Sequence, residues 1–243
     1  NEDNIDLNRN FVDHSRPQPA NPAYAELHPL LATAQWPPRP ESEAGIARTI
    51  AERGQLAFQA AVSGGQYEFP DGLFFGGSAP SWSNRTLRKV LAAYRAGTRR
   101  LRWIDFHTGL GPYGHGELIQ AGRDDDAEPA RATALWGDQV KSIYKGTSVS
   151  ARLEGLVVFA AYDELPQAEL TGCALEFGTL PVMQVLQALR AENWLLRHPQ
   201  APHAERLALR RQVRDAFYCD EAEWKAKVLE QGRAVALQAL AEW

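Results

Sequence analysis

Residues Leu101 to Gly111, Leu-Arg-Trp-Ile-Asp-Phe-His-Thr-Gly-Leu-Gly, constrain the fold of this chain more than any other stretch. Leu101, Trp103, Ile104 and Phe106 form an apolar, β-favouring run, and Thr-Gly-Leu-Gly breaks it, so the segment reads as a buried strand that ends near His107. In open α/β sheets ligands bind outside the carboxyl ends of the strands, and an imidazole placed there reaches a cleft. A lone histidine at such a place is more often a core residue satisfied by a carbonyl. What other segments bring beside His107 therefore decides its reading.

Two segments supply that company. Asp6-Leu-Asn-Arg-Asn-Phe11 alternates polar and apolar residues and groups two amides with a guanidinium. Cys173-Ala-Leu-Glu-Phe-Gly-Thr179 repeats the central pattern of an apolar strand, an ionisable residue near its end, then glycine. The three are read as strand ends converging on one site, where His107 ligates a metal, Glu176 is a general base, and Asn8 with Arg9 holds a substrate anion. An arginine fork binds a carboxylate through two parallel hydrogen bonds, which a lysine does not reproduce. Asp105 is expected on the opposite strand face from His107, either supporting the site's residues from outside or purely structural.

The remaining chain reads as helices around that core. A short helix is expected at 23–34 between prolines, and a long one from Ser42 to the Gly64-Gly65 stop. Ser83 is expected to cap the next helix, with Leu87, Val90, Leu91 and Tyr94 as its buried stripe. The glycine- and aromatic-rich stretch 66–82 either lines a pocket or plugs onto the core. Residues 116–121 read as a strand, 129–142 and 153–165 as helices, and 181–243 as three further helices. The fold class is thus α/β, a mixed central sheet flanked by helices, with a sheet core over 1–180 and C-terminal helices over 181–243 of a single domain.

Composition sets outer limits. The chain has 243 residues, 44% of them hydrophobic, enough for a sizeable core. A formal charge of −4 argues against a nucleic-acid or anionic-membrane partner. Two cysteines, Cys173 and Cys219, are too few for a disulfide framework and are not spaced for a metal. No apolar run approaches the roughly eighteen residues of a membrane span, and no signal peptide is visible. The solvated reading is preferred for His115, for Asp124-Asp-Asp126 and for the arginines at 206, 210, 211 and 214.

Taken together, Asp6-Leu-Asn-Arg-Asn-Phe11, the loop from Gly64-Gly-Gln-Tyr67 to Gly76-Gly77, Trp82-Ser-Asn84, Ile104-Asp-Phe-His-Thr-Gly-Leu-Gly-Pro112 and Leu175-Glu-Phe-Gly-Thr179 resemble the zinc carboxypeptidase superfamily. Within it they are most similar to a bacterial branch, domain of unknown function 2817. The resemblance implies a carboxypeptidase-type sheet and a zinc-dependent hydrolase that cleaves a peptide or amide bond next to a free carboxylate, acting on a small peptide or amino-acid conjugate. It implies Glu176 as the catalytic carboxylate, His107 as a zinc ligand, and Asn8 and Arg9 as substrate-binding residues. Tyr162, fourteen residues before Glu176, either takes the place of the mobile substrate-touching tyrosine of those enzymes or is a buried phenol at a helix end.

One departure accompanies the match. Zinc-binding members carry a His-x-x-Glu pair early in the chain, and none of the six histidines here has a Glu three residues on. A catalytic zinc takes three protein ligands and keeps one position open. The segment with His-x-x-Glu, and the first strands of the sheet, are therefore expected to precede this chain, which alone should bind zinc poorly and be inactive. An aspartoacylase-like N-acyl amino acid deacylase and a metal-free binding module are the alternatives, and a cytoplasmic, bacterial location is expected.

Overall fold

The computed structural model describes residues 1–241. A 3₁₀ turn at Leu7–Arg9 precedes four helices, α1 (Pro22–Leu31), α2 (Pro40–Arg53), α3 (Gln55–Ser63) and α4 (Trp82–Ala93). The sheet follows as β1 (Arg100–Tyr113), β2 (Gly116–Gln120), β3 (Lys141–Ser142) and β4 (Glu169–Gly178), with α5 (Ala127–Trp136) before β3 and α6 (Phe159–Glu164) before β4. Helices α7 (Val182–Arg197), α8 (His203–Phe217) and α9 (Ala222–Ala241) complete the described chain.

The mixed sheet has the order β1-β4-β2-β3. β1 and β4 are parallel, so the chain between them must cross over, and α5 and α6 lie within that connection. β2 runs antiparallel to β4. In this register His107 lies opposite Glu176, and Glu176 opposite Glu117, which sets three ionisable residues in one row across the sheet. The pleat then sorts side chains by alternation. Cys173, Leu175 and Phe177 point to the face covered by α5 and α9, where they meet Trp136, Val235 and Ala239. Leu101, Trp103 and Leu170 point to the face covered by α4 and α6, against Leu91, Ala160, Ala161 and Leu165.

The α/β class and the helical C-terminal region read from the sequence are those of the structure, and several boundaries move. The long helix expected from Ser42 divides at Gly54, which has φ +84°, and it begins at Pro40. Ser42 does not cap it, and its hydroxyl donates to the Leu30 carbonyl at 2.7 Å. The next helix is capped by Ser81, whose Oγ accepts from the Asn84 N–H at 3.2 Å, and Val90 and Tyr94 are exposed. The helix expected over 129–142 ends at Trp136, and Lys141–Ser142 joins the sheet beside β2. Only Phe159–Glu164 of the segment 153–165 is helical. The cause is Gly155 at φ +69°, which lets the backbone at Arg9 approach closely and whose carbonyl accepts from the Phe11 N–H at 3.0 Å. Leu73 and Phe75 plug the glycine-rich loop into the core. Trp194 and Trp224 are buried, whereas Trp243 lies outside the described residues. No helix among the described residues is long and apolar enough to cross a membrane.

Candidate active site

The 3₁₀ turn at Leu7–Arg9 is held over the strand ends by its own polar side chains. Asp6 caps it by accepting from the Asn8 N–H at 2.8 Å. Asn10, fully buried, donates to the Gly76 carbonyl at 2.7 Å and accepts from the Ser81 N–H at 2.8 Å, while Asn84 donates to the Asn10 carbonyl at 2.8 Å. Three of the segments that carry the family resemblance are thus one buried amide network, since a buried amide without partners costs about 1–3 kcal/mol. The Asn8 Oδ1 accepts from the Val157 N–H at 2.8 Å, which ties the turn to the loop before α6. Arg9 is buried and gives three of its five N–H donors to carbonyls, two to Ser63 at 3.1 and 2.7 Å and one to Asn8 at 2.7 Å. Its guanidinium also lies 5.6 Å from the Phe74 ring centre.

Below the turn, the ends of β1 and β4 supply His107 and Glu176. Glu176 Oε1 accepts from the Leu110 N–H at 3.0 Å, and no other hydrogen bond to its carboxylate is found among the described residues. Burial is the main force raising its pKa above the usual carboxylate value; the Glu117 and Asp105 charges add to it, and the Leu110 N–H and His107 oppose it. Gly109, at φ +139°, is needed here, because a Cβ would stand 3.0 Å from the Phe217 ring and 3.9 Å from Glu176 Oε1. Glu117, in the same row, is occupied: its Oε1 accepts from the Ser148 hydroxyl at 2.7 Å and the Val149 N–H at 2.9 Å.

Asp105 shares a face with His107, contrary to expectation, because residues two apart on a strand point the same way. Its Oδ2 lies 3.0 Å from His107 Nε2. Burial disfavours a charged imidazole, but the Asp105 hydrogen bond and charge, with the Glu176 charge, outweigh it, and the His107 pKa is raised.

Asn8, Arg9, His107 and Glu176 border one cavity of about 460 Å³. Asn8, Asp105 and His107 also border a second, of about 30 Å³, which Glu128 lines as well. Tyr162 lies outside the large cavity. Its hydroxyl donates to the Glu128 carboxylate and accepts from the Arg123 N–H at 3.1 Å, so the phenol is held at the far end of β2. The sequence reading leaves Glu117 and Glu128 unassigned and puts Asp105 on the wrong face, although strand alternation pairs it with His107.

The resemblance implies a zinc beside His107. Asp105 orients the His107 ring through Nε2, as a carboxylate orients a metal-binding histidine. Among the described residues, however, no group of three His, Cys, Asp or Glu is placed to hold a metal ion. One oriented imidazole does not make the three-ligand site of a catalytic zinc.

The protein family described as "Protein of unknown function (DUF2817)" matches residues 1–231. The chain belongs to this family. The match takes in the 3₁₀ turn, the whole sheet and helices α1 to α8, so every residue of the DUF2817 cavity lies inside it. No curated protein and no solved structure matches the chain.

Proposed function

We propose that this DUF2817 chain is the general-base and substrate-binding part of a zinc-dependent, carboxypeptidase-type metallohydrolase that cleaves a peptide or amide bond beside a free carboxylate. The observation that carries the reading is Glu176, a carboxylate at a strand end with one hydrogen-bond partner among the described residues, facing a cavity it shares with Asn8, Arg9 and His107. A raised pKa brings a carboxylate closer to the working range of a general base. Glu176 takes the proton of the attacking water and passes it to the leaving amine. Two N–H groups of Arg9 remain after its three carbonyl contacts, and with the Asn8 side-chain amide they hold the substrate carboxylate. His107, steadied by Asp105, is the one zinc ligand this reading assigns to the chain. Bound zinc would supply a nucleophilic water near neutral pH.

The test is Glu176→Gln in the protein produced from its native gene, with amine release measured from carboxylate-bearing amides in the presence of zinc. The expected result is a kcat lower by about 10²–10⁴-fold with KM little changed. Retention of wild-type kcat would remove Glu176 from the chemistry.

A further inference from the structure

One part of the large cavity's lining is built unlike the rest. Helices α3, α7 and α8 contribute side chains to it, whereas Ser150 and Leu153 reach it from the segment between β3 and α6, which is neither helix nor strand there. Among the described residues, 148–154 take part in no backbone–backbone hydrogen bond. The segment is fastened at its two ends, by the Thr147 N–H, which donates to the Ser142 carbonyl at 3.2 Å, and by Leu153, which packs on Ile119, Ile143 and Leu156. Gly146, at φ +63°, turns the chain into it.

Between those ends, two long side chains from different elements hold the segment. Glu117 of β2 accepts through Oε1 from the Ser148 hydroxyl at 2.7 Å and the Val149 N–H at 2.9 Å, and Gln59 of α3 donates to the Val149 carbonyl at 2.9 Å. Both backbone groups of Val149 are therefore satisfied by side chains. Ser148 Oγ accepts in turn from the Ser150 N–H at 3.0 Å, which extends the hold of Glu117 to a residue that lines the cavity. Gln59 lines the cavity itself, and Glu117 stands directly opposite Glu176, on the same face of the sheet. None of these bonds belongs to a ladder or a helix. Water can take over the Val149 groups and the Glu117 carboxylate once they part, so the segment can open with no buried polar group left unpaired.

We propose that Glu117 and Gln59 are positioning residues that latch Ser148–Arg152 as a strap against the cavity, and that release of either latch lets the strap open while the sheet and helices stay folded. The strap presents Ser150 and sets Leu153 toward a ligand only when latched. The proposal rests on the cavity lining and is independent of the reaction. Hydrogen bonds to a charged acceptor are the stronger ones, which makes Glu117 the stronger latch.

Trypsin reads the opening directly, because Arg152 is exposed and lies in the strap. The rate of cleavage follows the population of the open form when reclosing is fast. In the protein produced from its native gene, Glu117→Ala should speed cleavage after Arg152 by about 10-fold or more, and Gln59→Ala by less. Cleavage at Arg48 in α2 and Arg233 in α9, also exposed, should stay slow in both. Glu117→Gln keeps an acceptor oxygen and should restore most of the protection. Unchanged cleavage after Arg152 in Glu117→Ala overturns the proposal, and so does acceleration spread evenly over all three sites, which would make Glu117 a residue of general stability. Gln59→Ala carries the same test from the other side if Glu117→Ala does not fold. Where carboxylate-bearing amides are turned over, Gln59→Ala should raise KM more than it lowers kcat, and a fall in kcat alone counts against the latch. Absence of turnover in the wild-type protein sinks the hydrolase reading and leaves the cleavage pattern to decide the latch.

Discussion

Two carboxylates beside β4, Glu176 and Glu128, share a burial-driven rise in pKa and differ in almost everything else. Glu128, only 2% exposed, stands where β2 and β4 part beyond the Ile119–Ala174 pair. It accepts from the Tyr162 hydroxyl, the Gly172 N–H at 3.2 Å and the Arg123 N–H at 3.4 Å, and so replaces the ladder hydrogen bonds that the parting strands lose. Glu176 accepts from the Leu110 N–H and otherwise faces a cavity. A carboxylate has about four lone-pair sites, and the number already occupied by protein donors separates a structural splice from a reactive group. Burial alone does not separate them. Removing the splice strands buried donors at about 1–3 kcal/mol each. Glu128→Ala should therefore lower unfolding free energy by about 3 kcal/mol or more, and Glu176→Ala by no more than about 1 kcal/mol. Urea unfolding of the two variants gives the comparison, and equal losses would erase the distinction.

A smaller effect sharpens the same contrast through Tyr162. Tyr162→Phe keeps the ring packing against Phe159 and removes only the hydroxyl shared by Glu128 and Arg123. The expected loss is about 1–2 kcal/mol of stability with unchanged KM for any carboxylate-bearing amide. A KM raised several-fold at unchanged stability would return Tyr162 to the substrate.

How far the sequence reveals this contrast depends on which signal each residue carries. The row containing His107 and Glu176 is legible because strand alternation and a terminal glycine mark both segments. Asn8 and Arg9 are legible as a polar cluster, but their support is not: Asn10, Ser81 and Asn84 lie far apart in sequence, and their buried hydrogen bonds appear only once the chain is folded. Tyr162 was misplaced because apolar spacing over 153–165 reads as a helix, whereas the close approach of Arg9 to Gly155 is a tertiary constraint that overrides it. Glu128 gives no signal at all. A lone acid in the first turn of α5 looks like a favourable dipole contact, and only the divergence of β2 and β4 turns it inward.

The finest test is a slope with pH, because burial and hydrogen bonding push the Glu128 pKa in opposite directions. Burial raises it from the ordinary value of 4.5, while the Tyr162 hydroxyl and the Arg123 and Gly172 N–H groups lower it, and burial prevails. A group whose pKa is higher in the folded than in the unfolded chain binds more protons when folded. Its contribution to stability is complete below the unfolded value and is lost as pH rises through the folded one, with a slope of at most about 1.4 kcal/mol per pH unit. Glu128→Gln cannot titrate, so the stability difference between variant and wild type should shift toward the variant as pH is raised from below 4.5. Urea unfolding of both proteins across that range reads the sign directly. A shift toward the wild type instead would mean that the three donors outweigh burial, and that Glu128 is a charged splice in the folded protein.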